Sequence, residues 1–234
     1  ESIFLDPLYY SHGSDMHFRS YGDCIYCTMH GVWVYDYIDG TELYLDKAAH
    51  IMEVDLGKHG FGRLLAFGYP ESYYDKPLTK TLFAQLNFDI ADNGDFYVSF
   101  EADSLMYRYD HDYNQLACFG FAGRDMDLNY LRWDSYDQPW KERLAERMSR
   151  GFYNAVEYVD ETGLLFRSYR KGGGSATDGL QVYRDGVLVG DVDVPLGFRM
   201  AGYVAPYYYS YVVPDEEGER LYMFRFKWPF APEE

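Results

Sequence analysis

Cysteine is scarce in this sequence, with three in 234 residues, and three cannot build a disulfide framework. Two of them form Cys24-Ile-Tyr-Cys27. That spacing serves a metal knuckle or a redox pair only in a turn beside a second ligand pair. Here it lies in an alternating stretch where residues three apart point to opposite faces, and only Cys118 is left over. The thiols therefore read as structural. Long apolar runs are missing too. No stretch reaches the ~18 residues of a helical membrane span, and the longest uncharged run near the end, Met200 to Pro214, is broken by Pro206 and Pro214. Positive charge is short, with 21 Lys and Arg against 38 Asp and Glu, a net charge of -17. Binding to phosphate backbones or anionic lipid needs Lys and Arg to replace counterions, so nucleic acid is excluded as an expected partner. The chain opens at Glu1 with neither an initiator Met nor a signal segment, and Glu1 to Tyr10 reads as the middle of a protein.

What is present in excess is aromatic: 26 Tyr, 16 Phe and 4 Trp. Such side chains favour pleated, half-buried surfaces and supply large burial areas. With no break in composition, the length fits one all-β domain spanning 1–234.

The pattern repeats. Gly22-Asp23-Cys24-Ile25-Tyr26 and Gly94-Asp95-Phe96-Tyr97-Val98 each run a Gly-Asp turn into an alternating strand, and the same 72-residue offset maps Tyr35-Asp36-Tyr37 onto Tyr107-Arg108-Tyr109. Looser echoes begin at Gly163 and Gly218. Turns at Asp39-Gly40, Asp92 to Gly94, Asp160 to Gly163 and Asp185-Gly186 supply residues that tolerate positive φ in tight hairpins. One unit reads as strands Ala84 to Ile90, Phe96 to Glu101, Leu105 to Asp110 and Gln115 to Phe119. A second reads Phe152 to Val159, Leu164 to Tyr169, Leu180 to Tyr183 and Val187 to Val192. A third unit starts at Phe198, ends at Leu221 to Lys227 and is short of its outer strand. An earlier one covers Met16 to Asp55 and is followed by a long connection from Gly57 to Lys80. Four consecutive antiparallel strands per unit make a propeller blade, so the expected fold is an all-β propeller with about four blades in this chain.

One segment departs from the β pattern. From Gln138 to Met148, Pro139 suits a first helical position, and Trp140, Leu144 and Met148 recur every four residues. A short amphipathic helix is expected near 138–149, as a cap over exposed blade edges or as a lid or rim beside a ligand.

The run Asn87 to Val98, with the closing Phe119-Gly120-Phe121-Ala122-Gly123, resembles the repeat of six-bladed NHL-like and TolB-like propellers. Gly202-Tyr203-Val204 and Leu221 to Lys227 resemble the end of uncharacterised six-bladed propellers exported by Gram-negative gut anaerobes, many of them lipoproteins. The resemblance implies export to the periplasm or cell surface, with a lipid anchor on a segment outside this chain. It transfers no catalytic residue. Six blades at ~40 to 50 residues each need more than the 234 present, so either one or two N-terminal blades are missing from the sequence, which is the favoured expectation, or the ring closes with fewer.

The residues offer little chemistry. Asp110-His111-Asp112-Tyr113-Asn114 begins like a calcium loop but has Gln115 where Gly is required and Phe121 where Glu is required. Asp125-Met126-Asp127 and Asp191-Val192-Asp193 keep calcium open as a cofactor; no other cofactor is indicated. Lys171 to Gly179 fails Walker spacing and reads as a flexible hairpin loop, and Gly60 to Leu65 lacks the last glycine of a dinucleotide fingerprint. Six histidines never pair at i, i+4.

Sorting loops by blade face is more informative. First-to-second and third-to-fourth turns are short and acidic. Second-to-third turns and blade links are longer, mixed in charge and aromatic, which suits recognition on a rigid scaffold. The expected ligand-binding residues are Arg124, Asp125, Trp133, Tyr136, Trp140, Arg170 and Lys171, with a glycan, peptide or protein as partner and the oligomeric state open. The leading expectation is a noncatalytic binding scaffold. The alternative is a hydrolase, lactonase or lyase using a divalent metal held by inward carboxylates or histidines at the propeller channel.

Overall fold

The computed structural model describes residues 17–28, 50–58, 61–65, 70–73, 85–131, 139–215 and 217–229. The Tyr35-Asp36-Tyr37 echo and the Asp39-Gly40 turn lie outside them. The fold is nearly all β, built from successive antiparallel meanders. β1 (Phe18–Tyr21), β2 (Cys24–Thr28), β3 (Ile51–Asp55) and β4 (Phe61–Leu65) form the first sheet. The second is β5 (Leu86–Ile90), β6 (Phe96–Phe100), β7 (Met106–Tyr109) and β8 (Gln115–Phe119). The third is β9 (Phe152–Val159), β10 (Leu164–Arg170), β11 (Asp178–Arg184) and β12 (Val187–Val194). The last sheet has three strands, β13 (Met200–Val204), β14 (Tyr207–Ser210) and, after the separate hairpin β15 (Val213–Asp215)–β16 (Arg220–Tyr222), β17 (Arg225–Phe226).

Local chemistry explains the hairpins. Gly22 and Gly94 hold φ of 56° and 87°, which places the two Gly-Asp turns in the region where glycine costs least. Asp185 and Gly186 both have positive φ, the requirement of a two-residue turn that follows the strand twist. The 72-residue offset carries β2 onto β6 residue for residue.

The sheets stack face to face. Between the first and second lie Tyr26, Ile51, Phe88, Phe96 and Val98, with the Tyr26 and Phe96 rings edge to face at 5.2 Å. Ala91, Tyr97, Met106, Val156, Leu165 and Tyr183 fill the next interface. Val159, Phe166, Val182, Met200 and Tyr208 fill the one after it. Each large side chain removed from water there contributes about 1.5–3 kcal/mol, so the aromatic excess is spent on joining sheets. The first strands of successive sheets meet, β1 on β5, β5 on β9 and β9 on β13. β6 is buried throughout, whereas β8 and β12 on the outer edges are largely exposed. Sheets joined through their first strands, with last strands outward, form a propeller-like arrangement.

Three expectations are corrected. The stretch from Gly57 onward is not all connection: β4 pairs with β3 from Phe61 opposite Asp55 to Leu65 opposite Ile51 and completes the first sheet. The glycine-rich stretch after Lys171 is tied down rather than loose. The Gly173 N–H donates to the Ser149 carbonyl at 2.6 Å, and the Asp127 N–H to the Lys171 carbonyl at 2.8 Å. At Gly172, with φ of 76°, any Cβ would collide with the Arg150 backbone. The helix α1 (Trp140–Ser149), with Pro139 as its N-cap, docks by its charged face. Glu146 is buried while Leu144 and Met148 stand in solvent. The reason is the surface beneath, where the buried carboxylate of Glu101 takes the Arg147 guanidinium and Glu146 accepts from the Leu131 N–H at 2.8 Å.

Candidate functional site

The meander fixes two opposite ends of the stacked sheets. At one, the first-to-second turns of neighbouring sheets touch: the Asp92 N–H donates to Asp160 Oδ1 at 3.0 Å. At the other, the link after β8, the end of α1 and the β10–β11 loop are laced together by the Asp127, Gly151 and Lys171 backbone.

Four of the residues expected to bind a ligand are described with their side chains, and three share one charge cluster at this second end. Lys171 is buried, and its Nζ reaches Asp193 Oδ1 at 2.8 Å and Asp125 Oδ2 at 3.8 Å. Arg124 pairs with Asp193 through Nη2 and lies 3.9 Å from Asp125 through Nε. The Lys171 and Arg124 charges hold the Asp193 carboxyl below the usual carboxylate range. Arg170 is the last residue of β10 and pairs in register with Phe152, away from that cluster's ion pairs. Trp140 opens α1, and Trp133 and Tyr136 lie outside the described residues.

The cluster stands on a rigid base. Tyr169 Oη donates to Asp191 Oδ1 at 2.6 Å, Gln181 Nε2 donates to Asp191 Oδ2 at 3.2 Å, and the Arg124 N–H donates to the same oxygen at 3.1 Å. Gly179 leaves the room that the Tyr169 ring fills. Above it, Arg124 and Asp125 are exposed, and Asp125 holds a φ of 58°. Asp127 is occupied by Arg150 at 2.8 Å and by the Asn129 N–H, which lower its pKa. The paired acidic motifs thus meet internal cations and N–H donors. Asp110 behaves alike, its Oδ1 accepting from the Asp112 and Asn114 N–H groups at 2.9 Å each, so the loop that begins like a calcium site is a self-capped turn. Among the described residues, no three His, Cys, Asp or Glu side chains converge as metal ligands.

A second cluster escaped the sequence reading. Arg19 of β1 reaches Asp89 of β5 and, at 2.8 Å, Glu157 of β9. Three consecutive first strands are therefore pinned by one guanidinium. Asp89 also accepts from the Tyr158 N–H at 2.6 Å. Burial pushes the Glu157 carboxyl up to about 8, with Asp89 adding to the rise and Arg19 opposing it; burial raises Asp89 as well. The two partners of Arg19 lie 70 and 138 residues from it in sequence, and no local motif marks them.

No protein-family model and no curated protein matches the chain. Among solved structures, a member of the DUF4221 family from Bacteroides vulgatus ATCC 8482 is similar, with TM-score 0.56 and 10% identity over 77% of this chain and 52% of that one. The chain spans about half the length of that structure, and at this identity the likeness concerns the fold alone. A prolyl endopeptidase structure aligns with 93% of this chain and 34% of its own at 12% identity and TM-score 0.34, too low to carry an argument.

Proposed function

We propose that this chain belongs to a six-bladed propeller of the NHL-like or TolB-like kind in the cell envelope, and that it is a noncatalytic scaffold. Its long-loop end would take a glycan, peptide or protein partner. The observation that carries the reading is the Arg124–Asp125–Lys171–Asp193 cluster. An exposed guanidinium and an exposed carboxylate sit side by side on a base fixed by a hydrogen-bond network around Asp191, so a ligand meets a donor and an acceptor with little ordering cost. The envelope location and the lipid anchor rest on the family resemblance alone.

The test is thermal unfolding with a panel of glycans and peptides, and with calcium, zinc and chelator, since a ligand of the native state raises the midpoint by mass action. A glycan or peptide shift that Arg124→Ala and Asp125→Asn both abolish, with the unliganded midpoint unchanged, supports the scaffold. A shift that survives both variants sinks it. A hydrolase, lactonase or lyase at the propeller axis is the second reading, for which Asp89 and Glu157 supply two carboxylates from neighbouring first strands. Between them stands the Arg19 guanidinium, where a divalent ion would sit, so a metal-dependent shift reversed by chelator and lost in Glu157→Gln would favour this reading instead.

A further inference from the structure

A cleft of about 230 Å³ opens between the second and third sheets at the short-turn end, away from the charge cluster. Tyr97, Phe119, Tyr158 and Leu165 line it, with Arg108 on one side and the Asp185–Gly186 turn on the other. Its volume falls below the ~300 Å³ at which sites for drug-sized ligands begin, so it holds one ring-sized group.

The lining charges decide which group. Arg108 spends Nε and Nη2 on a single oxygen of Asp95, at 2.8 Å through Nε, leaving Nη1 N–H groups for an acceptor. Its guanidinium lies 5.8 Å from the Tyr97 ring centroid, which fills the position that an incoming cation would seek. An anion fares no better: Asp95 already neutralises Arg108, and Asp185 adds an exposed carboxylate to an end that also carries Asp92 and Asp160. A neutral ligand with hydroxyls on both sides satisfies the donor, the acceptor and the aromatic wall together. Tyr97 and Tyr158 stack at 4.6 Å, which stiffens that wall before anything binds.

We infer that this cleft is a subsite for one neutral sugar ring, with Arg108 donating to and Asp185 accepting from its hydroxyls. The ring is either a free hexose or the terminal unit of a glycan. So small a contact gives millimolar affinity.

Saturation-transfer NMR on the intact chain tests it, using neutral hexoses, the same sugars as terminal units of short oligosaccharides, a uronic acid, and lysine amide. The expected result is transfer to at least one neutral hexose, reduced about tenfold or more by Asp185→Asn, which keeps a residue tolerant of positive φ, and by Ala117→Phe, which fills the cleft. Both variants should keep the parent's thermal midpoint. Transfer to the oligosaccharide end unit alone assigns the site to glycan ends, and equal transfer to the free sugar assigns it to monosaccharides. Transfer only to the uronic acid or to lysine amide, no transfer to any neutral sugar, or transfer unchanged in both variants overturns the inference. Arg124→Ala should leave this signal intact, which keeps the result separate from the fate of the long-loop site.

Discussion

Arg167 carries its charge with no exposure to water at all, and among the described residues no carboxylate is bonded to it. Nη1 donates to the Ser104 carbonyl at 2.8 Å, Nη2 to the Asp103 and Leu105 carbonyls, and Nε to Ser99 Oγ at 2.8 Å, while the guanidinium stacks on the Tyr153 ring. Burial lowers its pKa, yet the fork of donors fits three carbonyls that would otherwise be orphaned in the turn between β6 and β7. Arg167→Met should cost roughly 3–5 kcal/mol, because the carbonyls lose their partner while the hydrophobic gain is small. Urea unfolding checks this: the midpoint should fall with the slope unchanged. A loss under ~1 kcal/mol would mean that water or a rearranged turn satisfies those carbonyls. Arg167→Lys should recover little, since an ammonium cannot span the same acceptors.

Among the elements, α1 reverses the usual rule that the apolar stripe faces inward. Its hold on the sheets is Glu146 and Arg147. Arg147 pairs with buried Glu101 and lies 4.5 Å over the Phe152 ring. Glu146→Ala is therefore expected to cost about 1–3 kcal/mol by leaving the Leu131 N–H and Arg150 short of an acceptor. Leu144→Ala should stay within about 0.5 kcal/mol. Chemical denaturation of the two variants side by side decides the matter, and the opposite ranking would show the helix docked by its apolar stripe.

The helix also marks where sequence reasoning ended. Its existence and extent followed from Pro139 and the four-residue periodicity, but its orientation depended on the buried carboxylate of Glu101 in the turn after β6. Strand reading did better where turn chemistry and alternation agreed. β8 and β9 match the expected spans of Gln115 to Phe119 and Phe152 to Val159. β4 was missed because Gly60-Phe61-Gly62 looks like a connection, and only its pairing with β3 makes it a strand. At the charge cluster, the loop sorting named Arg124, Asp125 and Lys171. Asp193, the carboxylate joining two of them, was legible only as half of a paired acidic motif.

The assembled molecule has its own electrostatic signature at Arg19, Asp89 and Glu157. The folded Glu157 pKa of about 8 lies above the ordinary 4.5, so the native state holds a proton that the unfolded chain has released. Stability from this site is complete below about pH 4.5 and is lost as pH rises towards 8, on the order of a few kcal/mol. Asp127 and Asp193, with lowered values, act in the other direction and in another window, losing stability as pH falls below about 4. Thermal midpoints measured from pH 5 to pH 8.5 should decline for the parent and flatten for Glu157→Gln. A parent curve that rises across that range would refute the assignment.

The same guanidinium sets a timetable. During synthesis Glu157 leaves the ribosome 138 residues after Arg19. At ~5–20 residues per second that is a delay of about 7 to 28 seconds. Through it the Arg19 guanidinium lacks its third-sheet partner, and Asp89 arrives about halfway. The tie that Arg19 makes across these three sheets is therefore complete only when the third has been made.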